Sequence, residues 1–475
     1  MSSSQPLAAT PIAAPRRQLT LYDSTSIIVG IIIGSSIYES SPDIASCVPG
    51  PVALIALWVV GGLLSLVGAL CYAELATTYP QAGGDYVYLT RAFGRPLGFL
   101  FAWAQLWIVR PGSVGVMAFV FARYANELLP LKHSASLPIY ATASVILLTL
   151  INLRGVRQGK WTQNILTTAK LLGLLAIVFA GLLCSSPPAP ATRPATAPAQ
   201  TWDLYLALIL IFYAYGGWNE MAYVAAEVRN PQRNILRSLL LGTIAVTFIY
   251  LLINLAFLHA LGFSAAVRSK AIAADVLRLA TGPWGSRAIS LIICITALGA
   301  INGLIFTGAR ITYAMANEHR LFAPLGRWSS RRDTPARSLL IQAGITLALI
   351  IAFGRTEAAF KALVNFTTPV FWIFFLLVGL SLFVLRVREP DTLRPYRVPA
   401  YPLIPALFCL SSLFMLYASF SWANKHRSSE AFWSIVILAI GLPLALYDRR
   451  PRPADLRPLY PPRSSPYPGP DSDIS

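Results

Sequence analysis

Two stretches decide how this chain folds: Gly30-Ile31-Ile32-Ile33-Gly34-Ser35-Ser36 and Tyr213-Ala214-Tyr215-Gly216-Gly217-Trp218-Asn219. Each lies in an apolar run long enough to cross a hydrocarbon core of about 30 Å. Glycine costs about 1 kcal/mol relative to alanine inside a helix, so clustered glycines in a span mark where the helix is interrupted. Irregular backbone survives at membrane depth only where protein or a watery cavity satisfies its polar groups. Interruptions at corresponding positions of two halves point to a transporter's substrate site. For either stretch alone, close packing of helices through glycine is the plainer alternative.

Outward from these stretches, apolar runs recur along nearly all of the 475 residues. The composition is 56% hydrophobic and 12% charged, with a mean hydropathy of +0.60, so lipid is the main solvent. Spans are expected at about 22–46, 51–78, 96–128, 136–153, 163–184, 202–225, 238–260, 287–315, 337–354, 362–386, 401–422 and 430–447. The fold class that follows is an all-α integral membrane protein of about twelve transmembrane helices, with the first and sixth broken.

The net charge of +18 could suggest nucleic acid, but the basic residues are dispersed between spans, as in Arg154/Arg157/Lys160, Arg229/Arg233/Arg237 and Arg449 to Arg457. That pattern reads as topology and places both termini in the cytoplasm. Residues 1–19 are expected to be a disordered cytoplasmic tail without a secretory signal, 185–201 a Pro/Ala-rich outer loop, and 449–475 a disordered cytoplasmic tail. The five cysteines have no metal-ligand spacing and read as buried thiols.

The breaks carry chemistry. If the first span unwinds near Ile33–Ser36, its outer half presents the N–H groups of Ser35, Ser36 and Ile37 and a positive dipole end to an anion such as a carboxylate. Carbonyls freed near Ile32, Tyr213 and Gly216 suit an ammonium. A carboxylate and an amine held side by side describe the backbone of an α-amino acid. Its side chain would lie among Tyr38, Tyr213, Tyr215, Trp218 and Trp372, a lining that favours apolar substrates. The substrate-binding set is therefore Ile32, Gly34, Ser35, Ser36, Ile37, Tyr213, Tyr215, Gly216, Trp218 and Asn219.

Lys170 stands in the middle of the fifth span, where its charge costs at least about 2.5–3.5 kcal/mol and needs a partner or a role. It is the candidate for ion or proton coupling, with a purely structural tie to carbonyls as the alternative. Arg110 and Glu74 read as helix-packing and hydrogen-bonding residues. Glu39 and Glu220 flank the two breaks, where they either attract a cationic side chain or face a watery vestibule. The four histidines are isolated, so no catalytic residue, metal site or cofactor is expected.

At these residues the chain resembles the amino acid-polyamine-organocation superfamily, and especially its L-type amino acid transporter branch. Gly30–Tyr38 is similar to that family's first-span glycine motif and Phe212–Asn219 to its sixth-span motif. Tyr72-Ala73-Glu74-Leu75, Gly83-Gly84-Asp85-Tyr86, Arg110-Pro111, Glu227-Val228-Arg229-Asn230-Pro231, Asn302-Gly303 and Arg394-Pro395-Tyr396-Arg397-Val398-Pro399 also have counterparts there. The resemblance implies a five-plus-five inverted repeat, 20–184 and 202–386, followed by two further helices in 387–448. It also implies alternating-access movement of amino acids, with Lys170 where sodium-independent members carry a lysine. It places the substrate carboxylate on Ser35 and Ser36 and the amine on Ile32, Tyr213 and Gly216, with Tyr213 as the gating aromatic. Here Ser36 replaces a usual glycine, Tyr213 a common Phe, and Phe371 an often polar residue.

The expected function is sodium-independent transport of neutral, apolar amino acids across the cell membrane, plasma or inner, by exchange or proton coupling. Transport of polyamines or cationic amino acids is the alternative, and a channel or transporter-like sensor comes after it. The loop Leu128–Leu137 has no cysteine, so no disulfide-linked heavy chain is expected.

Overall fold

A computed structural model describes residues 16–184, 203–269, 271–329, 331–354, 359–425 and 429–447. The expected loop at 185–201, the tail at 449–475 and most of the N-terminal tail lie outside the described residues. The regular elements are helices.

The first span is two half-helices, α1 (Leu21–Ile32) and α2 (Ser36–Ser46). A capping box starts α1: the Thr20 hydroxyl accepts from the Asp23 amide while the Asp23 carboxylate accepts from the Thr20 amide. The chain continues through α3 (Pro51–Thr78), α4 (Asp85–Phe93), α5 (Arg95–Ala104), α6 (Arg110–Leu128), α7 (Ser136–Leu153) and α8 (Val156–Leu183). Between α5 and α6 the span does not stop but widens into a π turn over Gln105–Val109. Pro111 explains it. A proline ring crowds the carbonyl four residues back and has no N–H, and an added residue in the turn relieves both faults.

The sixth span is broken in its own way: α9 (Leu204–Ala214) gives way at Gly216-Gly217 to a 3₁₀ helix, Trp218–Glu227. Gly217 has φ +119°, a conformation open to glycine at no steric cost. A methyl group there would also sit 2.8 Å from Ile31 Cγ2, so this glycine lets the two breaks cross. The rest runs α10 (Pro231–Leu261), α11 (Phe263–Arg268), α12 (Ile272–Thr281), α13 (Gly285–Glu318), α14 (Ala336–Phe353), α15 (Ala359–Arg388), α16 (Leu403–Lys425) and α17 (Ser429–Tyr447).

Among the described residues ten helices are long and apolar enough to cross a membrane. Ten plus the two interrupted segments gives the twelve crossings expected. This is a multi-pass membrane protein. The core is the packing of α1, α3, α6, α8, α10 and α13 around the breaks. At Gly30 α1 and α8 approach so closely that a methyl group would lie 2.0 Å from Gln163 Nε2.

Backbone pairing and ion pairs link several of these elements. Leu19, placed by the sequence in a disordered tail, is fully buried. Its amide donates to Glu227 O at 2.8 Å and its carbonyl accepts from the Arg229 amide at 2.9 Å. Backbone pairing with the sixth span orders it. Lys160 of α8 reaches Asp23 at 3.0 Å, and Arg310 of α13 holds Glu227 at 2.7 Å. Glu74 accepts from Arg386 at 2.8 Å and from the Val398 amide at 2.7 Å.

Candidate functional site

The break in the first span begins with a single misdirected amide. Gly34 N–H donates to Ile32 O at 2.8 Å rather than continuing the ladder to Gly30. The Gly30 and Ile33 carbonyls are then taken by Lys170, whose Nζ donates to Gly30 O at 2.7 Å, Ile33 O at 2.9 Å and Thr296 O at 3.2 Å. The lysine is completely buried. Three carbonyls from two spans therefore hold one ammonium, bridging α13 to the break.

A second side chain joins the two breaks. The hydroxyl of Tyr250, on α10, lies 3.1 Å from both Ile32 O and Ala214 O. Its ring packs edge-on against Trp58 at 5.3 Å and against Tyr215 at 5.1 Å.

Where the breaks meet there is a cavity of about 210 Å³. Ile32, Gly34, Ser35 and Ser36 line it from the first break, and Tyr213, Gly216, Trp218 and Asn219 from the second. The amides of Ser35, Ser36 and Ile37 open α2 without intrahelical partners. Phe371, Trp372 and Phe375 of α15 and Phe408 of α16 form an aromatic wall, with Ser65, Ser113 and Ser411 as polar points.

Three of the expected residues are elsewhere. Tyr215 turns away from the cavity, its hydroxyl donating to Trp58 O at 2.9 Å, because the break rotates it to the side opposite Tyr213. Ile37 and Tyr38 are buried off the cavity wall, and the contribution of Ile37 to the site is its backbone amide. Ile32 lines the cavity, but its carbonyl already accepts from Gly34 N–H and faces Tyr250. Tyr250, Ser65, Ser113, Phe375 and Phe408 are site or supporting residues that the sequence did not single out. Each sits in an uninterrupted span, where an aromatic or a serine carries no distinguishing signal.

A family model for amino acid permeases matches residues 19–442. The chain belongs to that family. This permease is 32% identical to the human b(0,+)-type amino acid transporter 1 over 413 residues, 85% of this chain and 82% of the relative. To the mouse Asc-type amino acid transporter 1 it is 31% identical over 446 residues, 92% and 82% of the two chains. To the mouse large neutral amino acids transporter small subunit 2 it is 30% identical over 445 residues, 91% and 80%. Its activity is amino acid transport, not catalysis.

In the permease the Glu220 carboxylate on the cavity wall is already partnered. It accepts from Arg110 Nη1 and from Thr307 Oγ1, each at 2.6 Å. Arg110 is held in turn by Gln105 Oε1 at 3.0 Å, which the π turn brings beneath it, and stacks over the Tyr223 ring at 4.7 Å. The side chain of Glu39 lies outside the described residues. Among the described residues no group of three or more His, Cys, Asp and Glu gathers as metal ligands would.

Proposed function

We propose that the permease is a sodium-independent carrier of neutral amino acids with apolar side chains. It works by alternating access in the plasma membrane, by exchange or proton symport, with both termini cytoplasmic. The observation that carries the reading is the Lys170 bridge: carbonyls of an unwound helix and its neighbour are the groups that coordinate sodium in broken-helix transporters, and here an ammonium fills that place. The Ser35 and Ser36 amides suit a substrate carboxylate, and the carbonyl of Gly216, beside that of Tyr213, which also accepts from Gly216 N–H at 3.3 Å, suits its amine. The aromatic wall suits an apolar side chain, and the Arg110 pair leaves Glu220 little charge to offer a cationic one.

Matched breaks in the first and sixth spans support the five-plus-five repeat. The ties among Leu19, Glu227, Asp23 and Lys160 support a state closed toward the cytoplasm, and a half-exposed Tyr213 leaves access from the other side. With no cysteine between Leu128 and Leu137, the permease works without a heavy chain disulfide-linked there.

Proteoliposomes test this with radiolabelled neutral, cationic and acidic amino acids, in sodium and in potassium buffers. Uptake of neutral amino acids equal in both buffers is expected. Uptake that requires sodium overturns the reading of Lys170. Preferential uptake of arginine or putrescine overturns the substrate class, and no uptake of any amino acid overturns the whole.

A further inference from the structure

A second groove, of about 600 Å³, lies away from the substrate cavity, between the start of α1 and the first half of α8. Its two ends differ in chemistry. At one end stand Thr20, Asp23, Lys160 and Asn164. From there the wall becomes apolar along Ile165, Ala169 and Leu172, with Ile165 59% and Leu172 63% exposed on a span whose outward face meets lipid. Residues three or four apart share a helix face, so these three form a stripe running into the membrane from Trp161. Trp161 and Tyr22 are 58% and 61% exposed at the polar end, the depth at which amphipathic rings settle in a bilayer.

The polar end also carries unspent positive charge. Lys160 Nζ donates to Gln18 O at 3.2 Å and to Asp23 at 3.0 Å, which cancels that pair. Arg17 precedes Gln18, Arg157 lies one turn before Lys160 and four residues before Trp161 on the same helix face, and both residues are exposed. Among the described residues neither is paired with a carboxylate, and residues 1–15 contain no Asp or Glu that could reach them. Two free guanidiniums above an aromatic collar and an apolar trough match one molecule class. We propose that this groove holds an anionic membrane phospholipid, its phosphate on Arg17 and Arg157 and an acyl chain along Ile165, Ala169 and Leu172. Arginine forks suit phosphate, and anionic lipid on the cytoplasmic leaflet draws basic residues to this depth. The Tyr22 hydroxyl and Thr168 Oγ1 meet at 3.1 Å across the groove, so the acyl chain lies beside a contact that already joins the first half-helix to α8.

Delipidated protein titrated in native mass spectrometry, with phosphatidylglycerol and phosphatidylcholine of identical acyl chains, tests the proposal. The first phosphatidylglycerol is expected to bind at least tenfold more tightly than phosphatidylcholine. Arg17→Gln with Arg157→Gln, both at exposed positions, brings that ratio below threefold while leaving amino acid uptake in phosphatidylcholine liposomes unchanged. Ala169→Leu fills the trough and weakens the first phosphatidylglycerol at least fivefold. Equal binding of the two lipids, or a preference that survives the double substitution, overturns the proposal. Competition by glycerol 1-phosphate at the same concentration also overturns it, since that assigns the site to a free phosphate.

Discussion

Replacing Lys170 by methionine keeps a buried stem of similar length and removes the donors. Hydrogen bonds from a charged group are worth about 1.5–3 kcal/mol each, so the three to Gly30, Ile33 and Thr296 supply about 4.5–9 kcal/mol. That exceeds the insertion cost of roughly 2.5–3.5 kcal/mol for a mid-span lysine, which is why the charge is tolerated. In Lys170→Met two of the orphaned carbonyls belong to the first break, at about 1–3 kcal/mol each. If about 2.8 kcal/mol of this falls on the shape of the break, the competent population drops about a hundredfold. Arginine does not rescue: a methyl group on Gly299 would already stand 3.1 Å from Lys170 Nζ, too close for a larger guanidinium. The assay is initial uptake of a neutral amino acid into proteoliposomes, normalised to inserted protein. Uptake by Lys170→Met within threefold of the parent would refute the claim that this ammonium holds the break.

Other substitutions test the site from different sides. Gly34→Leu inserts normally, because a Cβ there would meet only Ile32 O at 4.0 Å, yet its side chain enters the cavity; uptake falls at least tenfold, and unchanged uptake removes Gly34 from the substrate path. Arg110→Gln frees the Glu220 carboxylate, so competition by arginine against a neutral substrate rises while thermal stability falls by about 3–5 kcal/mol; unchanged competition separates Glu220 from the cavity's electrostatics. Asp85, between the second and third spans, accepts from Tyr72 at 3.0 Å and Tyr223 at 2.6 Å, and burial pushes its carboxyl up to about 7 from 3.8. A raised native value means the folded state holds the extra proton, so the stability it contributes is full below about pH 4 and lost as pH rises through about 7. Melting curves in detergent should show this slope in the parent and a flatter one in Asp85→Asn; identical slopes would show that Asp85 is not its source.

Much of the architecture was legible because it rests on hydropathy and on glycine. The Gly-rich stretches at Gly30–Ser36 and Gly216-Gly217 break their helices where the sequence says, and Lys170 finds the carbonyls that its cost demanded. The starts of spans were less legible. The fifth begins at Val156, not near 163, because Lys160 lowers the local hydropathy while its ion pair with Asp23 is invisible in a linear chain. What a broken helix does with its side chains was not legible at all. Tyr213 and Tyr215 are two residues apart and look equally suited to a substrate wall, but the turn sends one to the cavity and the other to Trp58. The aromatic wall of α15 and α16 and the role of Tyr250 depend on which faces of intact helices meet the breaks, and apolar runs that are buried on several sides do not encode a preferred face.

Tyr250 has one hydroxyl proton and two carbonyls at equal distance, Ile32 O and Ala214 O, so a rotation of the hydroxyl alone moves the bond from one half-helix to the other. Ile32 O also accepts from Gly34 N–H, so the amide that bends the first break and the hydroxyl that reaches the second meet on one oxygen. The two discontinuities are thereby joined through a single proton carried by a third, unbroken span. Deleting the hydroxyl, as in Tyr250→Phe, would leave both half-helices in place but deaf to each other.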